Sequence, residues 1–492
     1  MFVTLLLAVC IVIGFWYATR KRYNLPPGPI GLPLIGHLFM FDAQQPMKAF
    51  DDWTKKYGPI FRIYFGNKLV ISLNNIEMAK EALVKQADNF SGRPESHAFH
   101  TLHNGNYGIV LPDGKDQKEQ RKFAVQVLKD LGLGRPIIEE RIHFEVGMLL
   151  EELSKSVETP VDPSLPLKVC VVNITNNLLF GKTFPHNDPN FVKYQESISG
   201  LVLQLQKSDI LSFLPMMKQL APNAFGIREL LGYHQIVKSF LKVQIREHMD
   251  SLQEGLYNDF TEAFLQKQKQ SEKTEGDNSF TELQLSAALS DMFIAGFETT
   301  VNTLLWGILF LCYNPDVQEK LSQSLLKLGR MPRWDDRQEL DYLNNVILEI
   351  QRLGNIVPLG VFHRNFEDTK LGEYEIPADS LIVINHWNIM RDERLFPNPE
   401  RFDPDRFRID EEAGNTAEIV NQRKEAVIPF SLGRRACLGE SVARMELFLI
   451  LGALLYSFRI SFPENQKPSM EPRFGITLVP QPYSVVLTPT SS

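Results

Sequence analysis

In the stretch Phe430-Ser431-Leu432-Gly433-Arg434-Arg435-Ala436-Cys437-Leu438-Gly439, a single cysteine sits among residues that change its chemistry. A lone buried thiol stays protonated and inert, and a bare cysteine is most often a small buried hydrophobe. Here two arginines place positive charge nearby. The periodic sequence after Cys437, through Tyr456, predicts a helix whose amino-terminal dipole and free amides favour an anion. Thiolate character at Cys437 is the expectation. Gly433 can take backbone angles closed to other residues, Gly439 lets a flat group approach the chain closely, and Phe430 can shield sulfur from water. The other three cysteines, Cys10, Cys170 and Cys312, lie in apolar stretches with no CxxC spacing, which suggests neither a zinc site nor a disulfide framework.

Upstream, residues 283–311 are apolar on most faces yet hold Glu298, Thr299 and Thr300 near the middle. At roughly 1.5 Å per residue such a helix crosses a whole domain. Asp291 and Glu298 would be costly in hydrocarbon, so a buried helix of a soluble body is favoured over a membrane span. Ala295 and Gly296 leave room for a diatomic molecule, Glu298 can pass protons in from solvent, and Thr299 can hydrogen-bond a ligand or water. A helical threonine can also bond its own helix carbonyl. Glu349 and Arg352, three residues apart, fall on one helix face, where such a pair ordinarily contributes little.

With these motifs in order, the chain resembles the cytochrome P-450 family, whose signature Phe-x-x-Gly-x-Arg-x-Cys-x-Gly is matched by Phe430, Gly433, Arg435, Cys437 and Gly439. The resemblance implies heme b (iron protoporphyrin IX), with Cys437 as axial iron ligand and Arg435 on a heme propionate. It casts Glu298 and Thr299 as the oxygen-activation pair. It also implies a structural triad of Glu349, Arg352 and Arg401, the last from Pro399-Glu400-Arg401-Phe402. Arg121 matches a propionate-binding arginine, although Gln117 stands where the family often has tryptophan. His363 falls where related microsomal members place another propionate donor. The implied fold is mainly α with small β-sheets, a long central helix over the heme, and an amino-terminal anchor helix.

The rest of the 492-residue chain sets the context. A hydrophobic content of 44% describes a globular protein, and a net charge of -7 argues against nucleic acid as a partner. Residues 2–18 carry no charge and are followed by Arg20, Lys21 and Arg22, which predicts an uncleaved membrane anchor over 1–19 with the body in the cytosol, at the endoplasmic reticulum. A basic, proline-rich hinge follows over 20–36, then one catalytic domain over 37–492. Period predicts helices over 46–56, 76–86, 117–129, 136–154, 194–206, 227–251 and 281–312. It predicts a hairpin over 60–65 and 69–72, a strand over 381–385 and a surface loop over 266–279.

No phosphate-binding glycine loop is evident, since Gly132-Leu133-Gly134 opens onto Arg135-Pro136. By resemblance, electrons come from NADPH through a separate flavoprotein reductase docking on Lys118, Arg121, Lys122, Lys129 and Arg434, and cytochrome b5 is also admitted as a partner. The expected reaction is monooxygenation of a small apolar substrate, a fatty acid, steroid or xenobiotic. The substrate would be lined by the 97–110 loop, 201–205, 292–297 and 356–362. The alternatives are a heme-thiolate isomerase or dehydratase acting on peroxides, which has no use for the Glu298-Thr299 pair, and a non-catalytic heme-binding protein.

Overall fold

The computed structural model describes residues 11, 23–42, 45–132, 136–185, 188–221, 224–253, 255–272, 279–475 and 477–490. The expected anchor over 1–19 lies outside the described residues except for Ile11, as do Arg20, Lys21 and Arg22. The described chain forms two compact units. The smaller takes the residues up to Pro94, Leu359–Asn388 and Leu432–Arg435, and the larger takes Glu95–Pro358, Ile389–Ser431 and the chain from Ala436.

The smaller unit is built on β1 (Ile60–Phe65), β2 (Lys68–Leu73), β3 (His363–Arg364), β4 (Thr369–Leu371), β5 (Tyr374–Ile376) and β6 (Leu381–Ile384). β1 and β2 form the expected hairpin about Gly66-Asn67, with Phe65 opposite Lys68. β6 joins β2 in parallel and β3 in antiparallel, giving the sheet order β1-β2-β6-β3. All four residues of β6 are buried, as its uninterrupted Leu-Ile-Val-Ile requires.

The larger unit is mainly helical, and among the described residues its strands are two short pairs: β7 (Phe458–Ser461) with β10 (Val486–Pro489), and β8 (Arg473–Phe474) with β9 (Leu478–Val479). Its axis is the central helix Glu282–Tyr313, which begins where the Thr281 side chain accepts the Gln284 N–H. This helix packs on Ser164–Phe180, on Asp341–Gly354 and on Glu440–Ser457. By length and composition it could cross a bilayer, but most of it is buried inside the protein, in line with the soluble reading.

Three expectations need correction. Ser164–Phe180 is a helix that period did not reveal, because from Val169 onward it is almost wholly buried, its Asn173, Thr175 and Asn176 included. The loop expected over 266–279 is helical as far as Glu272. The 97–110 loop begins as the helix His97–His103, capped by Ser96.

Candidate active site

In the larger unit Cys437 stands just before Glu440–Ser457, its N–H donating to the Phe430 carbonyl at 2.9 Å. The residue is exposed although its thiol lies deep among protein atoms. Burial pushes its pKa up. The N–H groups of Gly439 and Glu440 and the Arg121 guanidinium pull it down without cancelling that effect.

Arg121, on the helix Gly114–Gly132, donates to the Ala436 carbonyl at 2.6 Å. It thereby stands beside Cys437. Gln117, one turn earlier, is buried, whereas Lys118, Lys122 and Lys129 are exposed. The Phe430 ring lies 5.0 Å beneath the Arg444 guanidinium, and beyond the Gly439 α-carbon there is open space.

On the central helix, three consecutive side chains go three ways. Thr299 Oγ1 donates to the Ala295 carbonyl of its own helix at 2.7 Å. Thr300 Oγ1 donates to Glu446 Oε2 at 3.0 Å, and complete burial pushes that carboxyl up to about 8. Glu298 Oε1 accepts from Thr477 Oγ1 at 3.1 Å; burial raises its pKa, while Thr477, Lys168 and Asn302 pull it back. Ala295, one turn before Thr299, is exposed.

Nearer the start of the same helix, Asp291 and Gln284 hold the loop after His103. Asp291 Oδ2 accepts the N–H groups of Ile109 (2.8 Å) and Val110 (3.1 Å), and its Oδ1 meets His103 Nε2 at 3.1 Å. The Gln284 amide accepts the Gly108 N–H at 3.0 Å and donates to its carbonyl at 2.9 Å.

The structural triad forms with one member changed. Arg352 reaches Glu349 through Nε (2.7 Å) and Nη2 (2.9 Å). The second guanidinium on Glu349 belongs to Arg406, whose Nε lies at 3.0 Å, and not to Arg401. Arg401 is exposed and contributes its backbone carbonyl, which accepts from both Arg352 and Arg406. The chain holds two Pro-acid-Arg-Phe tetrads, at 399 and at 404, and packing selects the second.

In the smaller unit, His363 on β3 is buried, its Nδ1 2.9 Å from the Phe90 carbonyl. Burial, then the nearby Arg93, holds its pKa well below the usual range, and Arg435 and His386 add to this. Arg93 donates to the carbonyls of Val361 and Phe362 at 2.8 Å each, and Arg435 Nε donates to that of Ser91 at 2.8 Å. A neutral imidazole among guanidiniums is a donor set suited to carboxylates. Sequence reasoning missed Arg93, which belongs to no motif. Gly433 has φ +74°, and a Cβ there would stand 1.9 Å from the Leu83 carbonyl oxygen, so backbone packing reserves the position for glycine. Arg434 is salt-bridged to Asp88 at 2.7 Å.

The cysteine at a helix start beside the central helix in the larger unit, and the basic cluster suited to carboxylates in the smaller one, are each of a kind that a heme-thiolate protein uses. The chain belongs to the cytochrome P450 family, whose profile matches residues 26–487. It is similar to cytochrome P450 2C20 of Macaca fascicularis, 34% identical over 497 residues covering 99% of each chain. Cytochrome P450 2H1 of Gallus gallus is 35% identical over 505 residues, covering 99% of this chain and 98% of the relative. Cytochrome P450 2C8 of Homo sapiens is 32% identical over 497 residues, covering 99% of both. The protein is a cytochrome P450 monooxygenase with heme as its cofactor.

Proposed function

We propose that this monooxygenase inserts one oxygen atom of O2 into a small apolar fatty acid, steroid or foreign compound. Electrons come from NADPH through a separate flavoprotein reductase, and cytochrome b5 is a further candidate donor. The enzyme works at the endoplasmic reticulum membrane with its catalytic part in the cytosol. The observation that carries the reaction type is the acid-alcohol pair Glu298-Thr299, set one turn after an exposed alanine on the central helix.

On this reading Cys437 ligates the iron, Phe430 shields the sulfur, and Gly433 and Gly439 shape the loop. Arg121, His363 and Arg435, joined by Arg93, hold the propionates. Heme supplies a redox-active iron, and thiolate ligation favours cleavage of the oxygen–oxygen bond. Glu298 takes up and releases protons at its carboxyl, which burial keeps nearer neutrality than an exposed glutamate. Thr299 spends its one hydroxyl proton on Ala295, which leaves its lone pairs to accept from water. The exposed Lys118, Lys122 and Lys129 suit an acidic reductase surface.

The test is the carbon-monoxide difference spectrum of the reduced protein beside Cys437→Ser, followed by NADPH consumption with reductase. The expected results are a strongly red-shifted Soret band, lost in the variant, and NADPH use coupled to product. Turnover with peroxide alone would indicate an isomerase, and neither activity a non-catalytic heme protein. Thr299→Ala should keep its heme but divert reducing equivalents to hydrogen peroxide; tight coupling in that variant would sink the relay.

A further inference from the structure

The Glu298 carboxyl does not rest against its own helix. It is met from the carboxyl-terminal part of the chain by Thr477, whose Oγ1 lies 3.1 Å from Glu298 Oε1. The same hydroxyl accepts a hydrogen bond from Asn302 Nδ2 at 3.0 Å. A hydroxyl has one proton, and with the Asn302 amide donating to its oxygen, that proton is directed to the glutamate. Asn302 follows Glu298 by four residues, so one face of the central helix carries both the acid and the group that orients its partner.

Thr477 is held on both sides by hydrogen bonds, to Glu298 and from Asn302. It is buried, in the turn joining β8 and β9. The next residue, Leu478, donates its N–H to the Ile356 carbonyl at 2.8 Å and accepts Trp306 Nε1 of the central helix at 3.0 Å. Leu478, next to Thr477, is thus fastened to the helix two turns beyond Glu298. The other charged group facing the carboxyl is Lys168, from the helix Ser164–Phe180.

We propose that Thr477, oriented by Asn302, is a positioning residue that fixes where the Glu298 carboxyl rests and thereby governs proton delivery in the monooxygenase reaction. The inference builds on the reading of Glu298 as the proton-carrying acid. Because the hydroxyl donates to the carboxylate, its removal destabilises the ionised form. The methyl-for-hydroxyl exchange Thr477→Val keeps the bulk and removes the bond. Thr477→Ser restores it.

The experiment is an infrared pH titration of the full-length ferric holoenzyme, following the carboxyl band identified by its loss in Glu298→Gln, with the heme spectrum as the check of integrity. The protonation midpoint of Glu298 should move upward in Thr477→Val and return in Thr477→Ser. A wild-type midpoint in Thr477→Val with intact heme, or an equal displacement in Thr477→Ser, overturns the proposal. Peroxide release per NADPH, measured on the same variants, tests the underlying reading separately. A several-fold rise in Thr477→Val that Thr477→Ser reverses supports both, whereas a moved midpoint with unchanged coupling supports the positioning role and counts against Glu298 as the proton source.

Discussion

Glu349 and Glu446 are buried carboxyls on packed helices, Asp341–Gly354 and Glu440–Ser457, and the protein keeps them by opposite means. Glu349 accepts from Arg352 twice, from Arg406, and from the Asp403 N–H at 2.9 Å, so two guanidiniums and a backbone amide replace water around it. Glu446 receives one hydroxyl proton, from Thr300, and burial pushes its pKa up to about 8. What separates them is the supply of donors rather than depth. A buried carboxyl given cations becomes a fastener, and one given a single alcohol becomes a proton holder.

The contrast can be broken at its strong end first. Glu349→Ala would strand Arg352 and Arg406 in the interior, a loss of about 3–5 kcal/mol for an uncompensated buried charge. Expression should yield little heme-loaded protein, measured by heme content and thermal unfolding. Arg406→Ala leaves Arg352 in place and should cost about 2 kcal/mol, the scale of a lost hydrogen bond to a charged group.

Glu446→Gln sharpens the other end. Folding holds this proton more tightly than the unfolded chain does, so the stability it contributes is complete below the unfolded carboxyl range. That stability is lost as pH rises through about 8. Wild-type unfolding free energy should fall across that window by up to about 1.4 kcal/mol per pH unit relative to the glutamine variant. Parallel pH profiles for the two would refute a neutral Glu446. The smallest effect is expected for Arg401→Ala, within about 0.5 kcal/mol as for an exposed side chain, because only its backbone carbonyl serves the triad. A large loss there would reinstate Arg401 as a side-chain member.

That last pair marks where sequence reading stopped. The cysteine loop, the central helix and the first hairpin were legible because each has its own signal: fixed spacing, a long apolar run, or a turn between alternating strands. Choosing Arg406 over Arg401 was not, since both lie in a Pro-acid-Arg-Phe tetrad and only packing turns one side chain inward. Ser164–Phe180 hid for the opposite reason, burial of nearly all of it from Val169 onward having erased the period. Arg93 and Thr477 act singly and leave no pattern. Glu446 left a faint one, an acid in the apolar run Met445-Glu446-Leu447-Phe448.

The segment after His103 bonds its Gly108, Ile109 and Val110 amides not to other backbone but to the side chains of Gln284 and Asp291. Those three deuterons can be lost only when the segment parts from the central helix. Their exchange rates are therefore a clock for that separation, read amide by amide, and a compound that wedges the segment away would speed all three together while leaving the helix amides slow.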